Sequence, residues 1–93
     1  MALKAKHIVV HGRVQGVGFR YFVQNVGERL GLGGNVRNCD DGSVEIVVEG
    51  DLRSLAAFIK EIEKGPSMAR ITRVEIQDMS ATGNYSSFQI EGW

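Results

Sequence analysis

The sequence IVVHGRVQGVGFRYFVQNVGERL, residues 8–30, contains a change of hydrophobic periodicity that decides the fold. It begins with the apolar run Ile8-Val9-Val10, whose β-branched side chains are typical of a strand. From Phe19 onwards, apolar residues recur at i, i+3, i+4, i+7 and i+11, which is the spacing of one face of an α-helix. Glycines separate the two patterns, so the stretch predicts a strand, a glycine-rich turn and a helix.

The rest of the chain continues this alternation of strands and helices. Gly31, Gly33 and Gly34 predict the end of the helix, as glycine commonly does. Further patterns then predict a strand at 35–38, a hairpin turn at 40–42, a strand at 44–48, a helix between Asp51 and Gly65, a strand around 74–76 and a short tail strand at 88–90. Asp51 is placed as the N-cap of the second helix.

The predicted order of elements is β-α-β-β-α-β followed by the tail strand. Because crossover connections are right-handed, both helices fall on one face of an antiparallel sheet. We therefore predict an α+β fold, the ferredoxin-like sandwich. We expect residues 1–93 to form a single domain, since a chain of 93 residues is too short for two hydrophobic cores.

The charge and cysteine content restrict the class of protein. Eleven basic residues balance eleven acidic ones, whereas a general nucleic-acid binder usually has a basic excess. An anion site would therefore have to be local. Cys39 is the single cysteine, so an intrachain disulfide is excluded and a reducing, cytoplasmic location is expected. No apolar run is long enough to predict a membrane span.

The glycine-rich turn before the helix is the first candidate site. Successive backbone N–H groups in such a turn form an anion-binding nest, and the N-terminus of the following helix adds further donors. Arg20 supplies a planar fork of donors that matches phosphate oxygens. The turn is not a P-loop, since no Gly-Lys-Ser/Thr follows, and Tyr21 occupies the third glycine position of a dinucleotide fingerprint. The residues alone fit a tight turn with an incidental arginine equally well.

Asn38, at the end of the predicted second strand, is the second candidate. Its carboxamide can donate and accept hydrogen bonds and so can hold a water molecule in line with a bound phosphorus atom. The alternative is structural, because an asparagine beside a turn often bonds its own backbone.

Other polar residues have simpler explanations. His7 and His11 are four residues apart on a strand, at roughly 3.3 Å per residue, which is too far for one metal ion to bridge comfortably. Asp40 and Asp41 are explained by the turn, and Cys39 is interpreted as an incidental thiol. We therefore predict no metal site.

Two rival functions use the same fold. An RNA-recognition module stacks bases on aromatic residues of its first and third strands, but the strands at 7–11 and 44–49 contain no aromatic residue. A catalytically silent ligand-binding or regulatory domain is the other alternative. The presence of both Arg20 and Asn38 argues against it.

Two long motifs together resemble the signature of the acylphosphatase family. The first is Gly12 to Arg20 followed by Tyr21-Phe22-Val23-Gln24. The second is Gly34-Asn35-Val36-Arg37-Asn38 followed by Asp41-Gly42-Ser43-Val44-Glu45. Departures from the family pattern are Asn35, where many relatives carry an aromatic residue, and the ending Glu91-Gly92-Trp93.

The resemblance implies hydrolysis of acyl phosphates to a carboxylate and inorganic phosphate, with no metal and no cofactor. It implies that Arg20 and Asn38 are catalytic, with Asn38 orienting the attacking water. The implied phosphate-binding residues are Gln15, Gly16, Val17, Gly18, Phe19 and Arg20. The expected partners are the acyl phosphate substrate and inorganic phosphate as a product and competitive ligand, with no nucleic acid and no membrane. We expect a monomer.

Overall fold

Five strands and two helices make up the structure, a computed structural model that describes residues 3–92. Their bounds are β1 Lys4–Arg13, α1 Phe19–Arg29, β2 Gly33–Asn38, β3 Val44–Gly50, α2 Leu52–Lys64, β4 Arg70–Met79 and β5 Phe88–Glu91. This order is the predicted one, including the tail strand. Trp93, part of the atypical C-terminal ending, lies outside the described residues.

The strands form one sheet in the order β4-β1-β3-β2-β5. All pairs among the first four strands are antiparallel, which confirms the ferredoxin-like arrangement. The tail strand β5 instead pairs with β2 in parallel, so the complete sheet is mixed. Alternating hydrophobicity identifies a strand but does not encode its direction, and the direction of β5 was therefore open at the level of sequence.

Both helices pack against one face of the sheet. Alternate residues of the central strands, such as Ile8 of β1 and Ile46 of β3, share a buried core with Val23 of α1 and Phe58 of α2. Burial of each such side chain stabilises the fold by about 1.5–3 kcal/mol. The opposite face of the sheet is largely polar and is covered by no helix of the described residues.

Gly33 and Gly34 lie in β2 and do not end α1 as expected. Gly31, with φ of +72°, follows the helix and fits the predicted role. A Cβ on Gly34 would lie 2.1 Å from the carbonyl oxygen of Val47, and one on Gly33 would lie 2.4 Å from that of Tyr85. These glycines therefore allow close backbone contact, and β2 begins two residues before the predicted strand at 35–38.

The edge strand β4 is also longer than the predicted strand around 74–76. Most of its residues are exposed, because only β1 pairs with it and little of the strand is covered. An exposed edge imposes no hydrophobic alternation, and the pattern consequently showed only the middle of the strand.

The N-cap prediction for α2 is confirmed, since Asp51 Oδ1 accepts a hydrogen bond from the Ser54 N–H at 3.0 Å.

Glu49 forms hydrogen bonds with the segment that connects the two edge strands of the sheet. Residues 80–87 connect β4 to β5, the two edge strands. The carboxylate of Glu49, on the helix-free face, accepts hydrogen bonds from Thr82 N–H (2.7 Å), Thr82 Oγ1 (3.0 Å) and Gly83 N–H (3.0 Å). Burial raises the pKa of Glu49, but these hydrogen bonds outweigh it, so the pKa lies below its ordinary value.

Replacement of Glu49 by Gln is expected to lower the free energy of unfolding at neutral pH by about 2 kcal/mol, because an amide N–H would face the donors of Thr82 and Gly83. The folded pKa is lowered, so the stabilisation by Glu49 is complete above the unfolded value of about 4.3 and is lost as pH falls through the folded value. Denaturant unfolding at pH 7 and pH 3 measures both effects. The difference between wild type and variant should shrink at pH 3, and an equal difference at both pH values would contradict the assigned role.

Candidate active site

The loop between β1 and α1 is held against the hairpin that joins β2 to β3. The side chain of Gln15 donates two hydrogen bonds across this contact, to the carbonyl oxygens of Cys39 (2.8 Å) and Ser43 (2.9 Å). Both N–H groups of the carboxamide are thereby used. Gln15 thus fixes the distance between the loop and the end of β2, where Asn38 lies.

The loop curls because two of its glycines adopt left-handed backbone geometry. Gly16 and Gly18 each have φ of +74°, a region that other L-residues rarely occupy. A Cβ on either glycine would meet nothing within 4 Å, so backbone conformation and not crowding requires glycine here. Gly18 is also the N-cap of α1 and provides no side-chain cap.

The curled loop leaves its amides unpaired. Within residues 3–92, the backbone N–H groups of residues 15–20 donate no hydrogen bond. The N–H groups of Phe19 and Arg20 belong to the first turn of α1, where the helix dipole favours negative charge. No acidic side chain lies in that turn to neutralise it. The combination has the character of an anion-binding nest.

A cavity of about 210 Å³ lies over this nest. Its lining residues are Val14, Gly16, Gly18, Phe19, Arg20, Tyr21 and Asn38. One guanidinium N–H of Arg20 donates to the carbonyl oxygen of Glu91 in β5 at 3.1 Å, which leaves its remaining donors available. The structure therefore brings Arg20 and Asn38 to one cavity, although they are far apart in the sequence.

The side-chain oxygen of Asn38 lacks a hydrogen-bond donor among the described residues. Its Oδ1 atom is buried and accepts no hydrogen bond from the described residues. It therefore does not form the backbone bond that the structural alternative predicted for this side chain. Buried polar atoms nearly always have a partner, and one without a partner needs an explanation.

Two residues predicted for phosphate binding, Val17 and Gln15, do not line this cavity. The side chain of Val17 is half-buried and packs against the core, so only its backbone N–H is available to a ligand. Gln15 lines a neighbouring, larger cavity. Two contacts were not foreseen from the sequence, namely the side-chain bonds of Gln15 and the carbonyl contact of Glu91 with Arg20. Both depend on how separate elements meet, and no local pattern signals them.

The other polar candidates lie apart from this cavity. His7 pairs with Glu45 (2.7 Å between Nε2 and Oε2) and His11 with Glu75 (2.5 Å), on the helix-free face of the sheet. No group of three metal-ligating side chains occurs among residues 3–92. In the same part of the chain, no helix combines the length and apolar character required to span a membrane.

Comparison with known proteins identifies the family. The model of a family described as acylphosphatase matches residues 6–90. The chain belongs to the acylphosphatase family. An acylphosphatase from Thermotoga petrophila is 47% identical over 89 residues, which cover 96% of this chain and 98% of that protein. This chain therefore hydrolyses acyl phosphates, and the activity implied by the resemblance is confirmed.

Solved structures of acylphosphatases agree with the fold. A crystal structure of an acylphosphatase from Bacillus subtilis superimposes with a TM-score of 0.92 at 37% identity and covers 98% of this chain and 100% of that one. An acylphosphatase from Coxiella burnetii gives a TM-score of 0.90 at 32% identity, with 96% and 93% of the two chains covered. The acylphosphatase fold therefore accounts for nearly the whole chain, including β5.

Proposed function

We propose that the backbone N–H groups of residues 15–20 and the guanidinium of Arg20 bind the phosphoryl group of an acyl phosphate, while Asn38 orients the attacking water. The observation that carries this proposal is the row of unpaired N–H groups in a cavity shared with Arg20 and Asn38. Phosphoryl oxygens are hydrogen-bond acceptors and carry the negative charge that the N-terminus of α1 favours.

The proposed reaction needs no covalent intermediate. Water attacks phosphorus, a new P–O bond forms, and the P–O bond to the acyl oxygen breaks with its electron pair leaving on the carboxylate. The protons of the water molecule end on phosphate oxygens, so an acyl phosphate dianion and water give a carboxylate and dihydrogen phosphate. The nest and Arg20 act by holding the phosphoryl group and stabilising charge on its oxygens.

The unpaired Oδ1 of Asn38 supports the proposal that this side chain orients the attacking water. An O–H group is a donor, so a water molecule in the cavity would supply the hydrogen bond that Oδ1 lacks after a small rotation of the carboxamide. Such a bond would turn a lone pair of the water oxygen away from Asn38 and towards phosphorus. Orientation of this kind is a large part of catalysis in phosphoryl transfer.

We expect catalysis without a metal or cofactor. A carboxylate is a good leaving group, and fixed amide and guanidinium donors suffice to stabilise the phosphoryl oxygens. Activity should therefore be unchanged by dialysis against a chelator, measured as kcat and KM for benzoyl phosphate. Loss of activity that zinc or magnesium restores would overturn the metal-free mechanism.

The partners and location are part of the same proposal. Inorganic phosphate, the product, should inhibit competitively, because it presents the same oxygens to the nest as the substrate. We infer a single-domain, cytoplasmic monomer, in keeping with one hydrophobic core and one cysteine, and size-exclusion chromatography measures the oligomeric state.

The direct test of the proposed site is hydrolysis of benzoyl phosphate by the purified chain, followed by release of inorganic phosphate. The Asn38→Ala variant, purified in parallel, controls for contaminating phosphatases. A correctly folded wild-type protein without activity would favour the silent ligand-binding alternative. Equal activity of wild type and variant would refute the role of Asn38.

A further inference from the structure

A second, larger cavity adjoins the proposed phosphate site. It has a volume of about 530 Å³ and is lined by Gln15, Arg37, Asn38, Cys39, Asp40, Glu91 and Gly92. The two cavities meet at Asn38, which lines both. A substrate whose phosphorus lies beside Asn38 therefore has this second space open to its acyl group. We call it the acyl cavity.

Arg37, a cationic residue that lines the acyl cavity, forms an ion pair with Glu45. The Nε atom of Arg37 donates to Glu45 Oε1 at 2.5 Å, across the β2–β3 pair. His7 binds the other oxygen of the same carboxylate. These hydrogen bonds, from His7 and then from Arg37, hold the pKa of Glu45 below its usual value, so Glu45 stays negatively charged at neutral pH.

The negative charges in the cavity are not balanced in this way. Neither Asp40 nor Glu91 takes part in an ion pair within residues 3–92, and neither carboxylate accepts a hydrogen bond there. Asp41 provides the contrast, since its carboxylate accepts from Ser43 N–H (2.9 Å) and Oγ (2.6 Å) and stabilises the turn. Turn chemistry thus explains Asp41 but leaves Asp40 without a structural role.

From this geometry we infer that the acyl cavity binds the acyl group and selects for a cationic substituent on it over an anionic one. With Arg37 paired with Glu45, the remaining charges of the lining are the carboxylates of Asp40 and Glu91, of which Glu91 also lies within electrostatic range of Arg37. A concave surface lined by charges of one sign concentrates ligands of the opposite sign. The inference rests on the proposed phosphate site, because that site fixes which end of the substrate enters the acyl cavity.

The resulting site is dipolar. Arg20 and the N-terminus of α1 favour the phosphoryl end, and Asp40 and Glu91 favour an ammonium group at the other end. The fitting substrate class is therefore an acyl phosphate that carries an amino group on its acyl part.

The test uses three rigid substrates that share a benzoyl phosphate frame and differ in one para substituent. They are benzoyl phosphate, 4-(aminomethyl)benzoyl phosphate and 4-carboxybenzoyl phosphate, whose para substituents are neutral, cationic and anionic. Each kcat/KM is divided by the spontaneous hydrolysis rate of that compound, since the substituents also change its intrinsic reactivity. The readout is the cation-to-anion ratio of these normalised values. We expect a ratio of about five to tenfold at low salt, falling as added salt screens the exposed carboxylates.

Charge-neutralising variants show which residues produce the ratio. The double variant Asp40→Asn, Glu91→Gln should bring the ratio close to one. Arg37→Gln should raise it, because the cavity loses its cationic side chain and Glu45 keeps only His7 as a partner. Glu63→Gln is the matched control, since Glu63 is an exposed residue of α2 outside both cavities and should leave the ratio at the wild-type value.

The outcomes separate this inference from the proposed function. A wild-type protein that hydrolyses none of the three substrates overturns the proposed function. A wild-type protein that hydrolyses all three with a ratio of one, or whose ratio survives the double variant, overturns only the selection by the acyl cavity. Circular dichroism of each variant confirms folding, and exposed Asp40 and Glu91 are not expected to affect it.

Discussion

Replacing Asn38 with alanine is expected to lower kcat at least about 100-fold while leaving the affinity for inorganic phosphate within about twofold of wild type. In the proposed mechanism the nest and Arg20 hold the phosphoryl group, and both remain intact in this variant. Only the group proposed to orient the attacking water is lost. Steady-state kinetics with benzoyl phosphate give kcat, and competitive inhibition by inorganic phosphate gives the affinity.

The same variant should be close to wild type in stability. Oδ1 of Asn38 accepts no hydrogen bond from the described residues, so its removal breaks no hydrogen bond within the fold. Denaturant unfolding of the two proteins measures the difference. A large loss of stability in Asn38→Ala would show that the carboxamide serves the fold and would undermine its assignment to the water.

Asn38→Asp provides a sharper control because it preserves the shape of the side chain. The carboxylate can still accept a hydrogen bond from water, but its charge opposes that of the phosphoryl group across the same cavity. We therefore expect weaker inhibition by inorganic phosphate in this variant, in contrast to Asn38→Ala. Normal turnover in Asn38→Ala would refute the orienting role altogether.

Replacing Arg20 with glutamine is expected to lower kcat/KM for benzoyl phosphate by about 10³-fold, with at least a tenfold weaker affinity for inorganic phosphate. A guanidinium binds phosphate in both the ground state and the transition state, so binding and turnover fall together. This pattern differs from that of Asn38→Ala. Kinetics and phosphate inhibition, measured side by side for the two variants, distinguish the two roles.

Arg20→Lys tests whether charge or geometry matters at this position. Lysine keeps the positive charge but has no planar fork, and it reaches less far towards the carbonyl of Glu91. Recovery of phosphate affinity without recovery of kcat/KM would fit the proposed role. Stability should change little in either variant, since the one contact with Glu91 is exposed. Unchanged phosphate inhibition in Arg20→Gln would exclude Arg20 from the site.

Much of this protein follows from local sequence. The β-branched run at 8–10, the helical spacing from Phe19 and the N-cap Asp51 each describe a single element, and all are confirmed. The loop glycines are equally local, because left-handed geometry at Gly16 and Gly18 is a property of the backbone itself. The order of elements and the handedness of crossovers then lead to the ferredoxin-like fold.

The errors concern residues whose environment is set by distant neighbours. The sequence pattern predicts Gly33 and Gly34 as helix terminators, yet the carbonyl groups of Tyr85 and Val47 require them. The length of β4 was underestimated because an exposed edge strand has no hydrophobic alternation. The motif also gives no sign that Gln15 ties the loop to the hairpin through its side chain.

The sequence by itself determined the strand, the glycine turn and the helix that carry the candidate anion-binding nest. Only the tertiary structure decided what surrounds that nest. The pairing of β2 with β3 brings Asn38 to the cavity of Arg20, and the parallel pairing of β5 brings Glu91 to the same place. Local geometry is encoded in adjacent residues, whereas the meeting of distant ones depends on how the whole core packs.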